Sequence, residues 1–134
     1  DLQDKVDAIG ILGIFTYTDQ QGNNVLYGDV LRWTADNSRL PDFSFWLDRV
    51  DYGTLCAVGV SGYQQGYVAG GLARRILVNG EKPSAIPMRP TMKGEPWVNL
   101  ARMRRLDLPY RSTPLLSSRV VTTFRVITHP PQAV

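Results

Sequence analysis

The sequence predicts an α/β layered domain, a three-layer sandwich built on a mainly parallel sheet. Three observations predict it. Apolar runs of strand length, residues 6–15, 42–47 and 54–60, alternate with helical stretches. The first run, VDAIGILGIF, is almost continuously apolar, as expected of a strand buried on both faces of a parallel sheet. Gly62, Gly66 and Gly70 recur four apart, which puts them on one face of a helix.

Taken in order, residues 1–5 are a polar lead-in to the first strand, and residues 16–24 form a polar loop after it, carrying Asp19, Gly22, Asn23 and Asn24. Asn23 or Asn24 is expected to cap a helix whose apolar set is Val25, Leu26, Val30, Leu31 and Trp33. Pro41 marks entry to the second strand, DFSFWL, which is expected to end at Asp48 and lead into a loop over residues 49–53. The third run, TLCAVGV, is too short for pattern alone to separate a strand from a buried helix.

The glycine helix follows. Each glycine in its interior costs about 1 kcal/mol relative to alanine, so close approach of its backbone to a sheet or a neighbouring backbone is expected in return. Leu72, Ala73, Ile76 and Leu77 supply its apolar stripe, and Asn79-Gly80 ends it with a residue suited to a left-handed conformation. Residues 85–89 are expected as a short strand between prolines, residues 91–96 as a loop, and Trp97-Val98 as a brief extended piece. Asn99 is expected to cap a last helix through Leu106, with Leu100, Met103 and Leu106 inward and the arginines outward. From Pro109 the pattern weakens. Residues 118–128 hold a β-branched run that suits a strand, and the last five residues read as linker.

A chain of 134 residues makes one domain with a real core. No apolar run approaches the roughly 20 residues needed to span a bilayer. The first methionine is Met88 and no signal peptide is present, so a mature or excised segment is expected. One cysteine, Cys56, excludes an internal disulfide or a cysteine zinc cluster, and reads as a small buried hydrophobe. The lone histidine, His129, lies beside two prolines and reads as tail. The net charge of +3 comes largely from Arg89, Lys93, Arg102, Arg104, Arg105 and Arg111. Without an aromatic platform or recognition-helix pattern, that cluster reads first as a solvated helix face, and second as a basic interaction surface using Arg102, Arg104 and Arg105.

Catalytic signals are weak. No serine sits in a G-x-S-x-G elbow, and neither a G-x-G-x-x-G nor a G-x-x-x-x-G-K-[ST] loop occurs. Asp48 and Asp51 form the one carboxylate pair worth weighing for hydrolytic chemistry, and two such aspartates more often form turns and caps. No enzyme activity, metal or cofactor is expected. Binding is better supported, because open α/β sheets hold ligands beyond the carboxyl ends of their strands. That rule selects the loop of residues 16–24, then Trp46 and Asp48 at the second strand's end, then Ser61 and Tyr63 opening the glycine helix. These offer carboxylates for a ligand ammonium and aromatic faces for an apolar or cationic group. Core packing competes evenly for Trp46, and is the stronger reading for Tyr63 and Tyr67.

One order of motifs runs through residues 5–110. It comprises Val6-Asp7-Ala8-Ile9, then Asp19 before Asn23-Asn24, then Ser38 and Pro41 leading to Phe45-Trp46. Gly53 follows before an apolar run, then Gly62-Tyr63 with Gly66, Ala69 and Ala73, LVNGEKP, and Val98-Asn99 with Ala101 and Leu106. This order resembles the second half of ABC transporter substrate-binding proteins of the periplasmic-binding-protein type I fold. The resemblance implies one lobe of a two-lobed periplasmic or extracytoplasmic clamp for an amino-acid-like solute, with residues 1–110 as the lobe and 111–134 as a C-terminal extension or linker. The implied partners are a small-molecule ligand and a membrane permease or receptor signalling domain, without nucleic acid. Mapped by position, the family's contacts would fall on Asp19, Asn23 or Asn24, and Trp46 with Asp48. The family's first lobe is expected to lie outside this sequence.

Overall fold

The computed structural model describes residues 3–90 and 94–127. Five strands form one sheet in the order β1-β2-β3-β4-β5. They are β1 (Ile9–Ile11), β2 (Asp42–Ser44), β3 (Cys56–Gly59), β4 (Glu95–Asn99) and β5 (Arg119–Val121). β1 runs parallel to β2, β2 to β3 and β4 to β5, so the α/β class with a mainly parallel sheet holds. The helices are α1 (Tyr27–Asn37), α2 (Asp48–Tyr52), α3 (Gly62–Leu77), α4 (Leu100–Arg105) and α5 (Ser112–Leu116). The chain divides into two compact units, residues 1–58 with 96–134, and residues 59–95.

In the first unit, Ile11 and Ile14 pack on Leu31 of α1, with Ile9, Tyr27 and Tyr52 around them. Two glycines make this packing possible. A Cβ on Gly28, in the first turn of α1, would meet the Tyr52 ring at 3.1 Å. Gly53 ends α2 at φ +124°, and a Cβ there would lie 2.8 Å from that of Ala35. Any larger residue at position 53 must both strain its backbone and push α1 away. The first strand is shorter than the expected residues 6–15 and is buried on one face only. Leu12, Phe43, Phe45 and Val58 lie on the opposite face and are exposed among the described residues.

Several elements differ from their sequence expectation. Residues 48–52 are helical where a loop was expected, and β2 ends at Ser44 rather than Asp48. The N-cap of α1 is Leu26, with neither Asn23 nor Asn24 capping, and Trp33 points to solvent. The third apolar run resolves as a strand. Asn99 caps α4 as expected, its side chain accepting from the Arg102 N–H at 3.0 Å.

The arginines of α4 do not all face outward. Arg102 is 1% exposed. Its Nη1 donates to the Ala35 carbonyl at 2.7 Å, its Nη2 to the Leu40 carbonyl at 3.1 Å, and its Nε to Asp42 Oδ1 at 3.4 Å. Asp42 Oδ1 also accepts from the Leu55 N–H at 2.9 Å, and Asn99 Nδ2 donates to the Val50 carbonyl at 2.7 Å. Arg104 donates to the Tyr110 hydroxyl, and Arg105 pairs with Asp36. The basic cluster is thus largely engaged within the fold, which removes the main support for a basic interaction surface.

The chain beyond residue 110 adds α5 and β5. Phe124 lies under the guanidinium groups of Arg32 and Arg105, each 4.5 Å from its ring centroid. The Arg125 N–H donates to the Asp51 carbonyl at 2.7 Å. Among the described residues, this segment therefore packs on α1 and α2. His129 and residues 91–93 of the expected loop at residues 91–96 lie outside the described residues, and residues 95–96 belong to β4 instead.

The second unit holds α3 and a 3-10 turn at Pro83–Ala85, where a strand over residues 85–89 was expected. α3 ends as expected, with Gly80 at φ +68°. Arg75 makes a bidentate pair with Glu81, at 2.6 and 2.5 Å, which holds the chain against the end of α3 and lowers the Glu81 carboxyl's proton affinity. Within this unit a Cβ on Gly62, Gly66 or Gly70 would meet no atom within 4 Å, so the close approach expected of them is not made inside it.

Removing Arg102 leaves the Asp42 carboxylate buried without its counter-ion. Arg102→Met is expected to cost about 3–5 kcal/mol in urea denaturation. Burial, only partly offset by Arg102, raises the Asp42 carboxyl above its usual 3.8. Asp42 therefore binds its proton more tightly folded than unfolded, and this group alone lowers stability as pH rises upward from 3.8. Asp42→Asn should remove that part of the pH slope in equilibrium unfolding, and an unchanged slope would contradict the assignment.

Candidate functional site

The carboxyl ends of β1 and β2 bring together residues that are far apart in sequence. After β1 the chain turns at buried Ile14 and presents Phe15. After β2 it runs through Phe45 and Trp46 into α2, whose first residues are Asp48 and Arg49. Tyr27, the first residue of α1, lies between them. The Phe15 and Tyr27 rings pack edge to face at 6.1 Å, and Tyr27 and Tyr52 at 5.4 Å. The Arg49 guanidinium sits inside this group, 4.2 Å from the Tyr27 ring centroid, 5.0 Å from Phe15 and 5.8 Å from Trp46. Cations are drawn to aromatic faces at these separations. Asp48 Oδ2 accepts from the Tyr27 hydroxyl at 3.2 Å.

Burial, with Tyr52 and the Asp48 carboxylate beside it, pushes the Tyr27 phenol up to about 12. The hydroxyl thus stays a donor throughout the ordinary pH range. Arg49 was not singled out in the sequence, nor were Phe15, Tyr27 and Tyr52. An arginine in a stretch read as loop is expected to be solvated. Only the helical turn at residues 48–52 and the approach of α1 carry it under three rings.

Asp19, Asn23 and Asn24 lie together in the loop after β1. Asp19 Oδ1 accepts from the N–H groups of Gln21 at 2.9 Å and Asn23 at 2.8 Å, and Oδ2 accepts from Asn23 Nδ2 at 3.1 Å. Thr18 and Asn24 form an antiparallel bridge across the loop's neck. The Asn23 side-chain amide, then the backbone N–H groups, hold the Asp19 carboxyl below its usual range. Asp19 thereby fixes the shape of its own exposed loop. Trp46 is 44% exposed, so it is not a core residue of this chain. Ser61 and Tyr63 belong to the second unit, at the start of α3, where Ser61 is the N-cap without a side-chain cap bond.

The second unit also carries an apolar groove of about 490 Å³ between α3 and the segment after it, lined by Val68, Leu72, Ile76, Ile86 and Met88. Apart from Arg75 and Arg89 at its edge it offers no convergent polar groups, so it lacks the chemistry that orients a small ligand. Among the described residues no cluster of histidine, cysteine, aspartate or glutamate could hold a metal ion. Cys56 is half-buried, and burial pushes its thiol up, away from nucleophilic use.

Comparison with known proteins places these features in a context. The family described as ABC transporter substrate binding protein matches residues 2–120. The ligand-free, open structure of a substrate binding protein with adhesive properties from Clostridium difficile is similar at a TM-score of 0.65 and 22% identity, over 91% of this chain and 38% of that one. An ABC domain in complex with L-Trp from Streptococcus pneumonia is similar at 0.60 and 20% identity, over 90% of this chain and 38% of that one. A conserved domain protein from Vibrio cholerae is similar at 0.58 and 16%, with the same shares. At these identities the likeness shows the fold. The chain spans 38% of the length of each of these structures. No curated protein matches it.

Tyr27 gives a direct check on the site's geometry. Its phenol is shifted from 10.0 to about 12, so the folded state holds that proton more tightly than the unfolded chain. The associated stability is fully present below pH 10 and is lost as pH rises towards 12. Ultraviolet titration should show one late-ionising tyrosine, absent in Tyr27→Phe. A late tyrosine that persists in that variant would contradict the assignment.

Proposed function

The chain belongs to the ABC transporter substrate binding protein family, and on that premise we propose that it is one lobe of a non-enzymatic, two-lobed clamp for a small amino-acid-like solute. The family match over residues 2–120 carries this reading. The strand-end cluster supports it, because it sits where parallel α/β sheets hold their ligands. Trp46 and Phe15 offer exposed faces to an apolar side chain, and Asp48 offers a carboxylate to an ammonium. Asp19, Asn23 and Asn24 supply a loop of fixed shape beside β1. The L-Trp complex of the pneumococcal domain is a precedent within the fold for a ligand of this class.

In this reading the protein works outside the cytoplasm. No described helix is long and apolar enough to cross a membrane. The lobe delivers its solute to a membrane permease, or, as the sensor domain of a receptor, reports the solute's presence to a signalling domain. Residues 1–110 carry the lobe's binding face, and residues 111–134 extend it. The same architecture serves both roles, since both need a closed state that only the bound solute stabilises.

A thermal-shift screen of the full-length protein with both lobes tests the proposal. Amino acids, peptides, nucleosides and sugars are added singly. A true ligand at a hundredfold excess over Kd stabilises by about 2.7 kcal/mol, and that shift should shrink in Trp46→Ala and Asp19→Ala. A well-folded protein that responds to none of these solutes would contradict a solute clamp.

A further inference from the structure

The chain buries two arginines almost completely, and they are not alike. Arg102 is 1% exposed and meets two carbonyls and a carboxylate. Arg49 is 2% exposed, yet its Nε and Nη1 have no hydrogen-bond partner among the described residues. Asp48, its sequence neighbour, instead accepts from Tyr27. A guanidinium carries five donors in one plane and cannot shed its charge, so burying it with donors unpaired is strongly unfavourable. The rings of Phe15, Tyr27 and Trp46 stabilise the cation, but a ring face does not replace an acceptor for the in-plane N–H groups.

We propose that Arg49 is the carboxylate receptor of the solute site. Nη1 shares an edge of the planar guanidinium with Nη2, and Nε shares the other, so either orphaned donor can form one half of the bidentate grip on a carboxylate that distinguishes arginine from lysine. It stands at the carboxyl end of β2, where a ligand is expected. Two of the three rings over it, Phe15 at 56% exposed and Trp46 at 44%, are themselves open to solvent. They form a cover that a ligand can displace, and their faces then flank its apolar portion. The ligand class is therefore a solute with one carboxylate next to an apolar or aromatic group, as in an amino acid. This deepens the clamp reading and rests on it.

The test is calorimetry on the full-length protein with matched pairs: L-tryptophan and L-tryptophanamide, L-phenylalanine and its amide, L-leucine and its amide. The preferred acid should bind about ten- to a hundredfold more tightly than its amide, the range for hydrogen bonds to a charged group. Arg49→Lys, which keeps the charge under the rings, should weaken the acid by about tenfold or more and leave the amide unchanged. The acid–amide comparison needs no variant, so it stands even if substitution at position 49 impairs folding. Equal affinity for acid and amide would overturn the inference while leaving the clamp reading in place. So would binding of uncharged sugars or nucleosides alone, or an Arg49→Lys protein that binds the acid as well as the parent. Failure of every solute, charged or neutral, would overturn both.

Discussion

The arrangement of the first unit depends on one buried cation. Arg102 reaches from α4 to the end of α1, to the connection before β2, and to the first residue of β2. Asn99, three residues earlier, fixes the turn that aims it and also holds the Val50 carbonyl of α2. Four elements thus meet around a single guanidinium and a single amide. The arrangement is costly to assemble, since a buried pair must recover its lost hydration through geometry. Each of the three nitrogens of the Arg102 guanidinium has found an acceptor, which favours a network that fixes one structure.

That network lies at the amino ends of β2 and β3, marked by Asp42 and Leu55, whereas the aromatic cluster lies at the carboxyl ends of β1 and β2. The fold therefore separates the chemistry that holds it together from the cluster proposed to face a ligand. The contrast between the two arginines follows the same division. Every nitrogen of Arg102 meets an acceptor of the protein itself, while Arg49 is desolvated and cation-stabilised but lacks acceptors at Nε and Nη1. Buried donors without acceptors are uncommon in protein interiors.

Much of the architecture was legible in the sequence because it depends on local signals. The cap at Asn99, the stop at Asn79-Gly80 and the alternation of apolar runs with helical stretches all appear in the structure. Family membership was legible too, in the order of weak motifs rather than in any one of them. What escaped was set by tertiary contact. Residues 48–52 carry no helical period over their short length, and their helix is closed by Gly53, which its φ of +124° and the proximity of Ala35 together make obligatory. Arg102 sits in a run of three arginines whose composition reads as solvent-facing, and nothing local marks the one that meets Asp42 sixty residues away. The candidate site was half legible. Trp46, Asp48 and the loop of Asp19 follow from strand ends, but Phe15, Tyr27 and Arg49 become neighbours only once α1 is docked.

The central claim is that the carboxyl ends of β1 and β2 close over a solute. Hydrogen exchange on the full-length protein, with and without a saturating solute from the screen, tests it most directly. The account predicts slowed exchange concentrated at residues 14–18 and 45–50, with the Arg102 network already protected and unchanged. Protection confined to other surfaces, such as the groove of α3, with these strand ends unaffected, would contradict it.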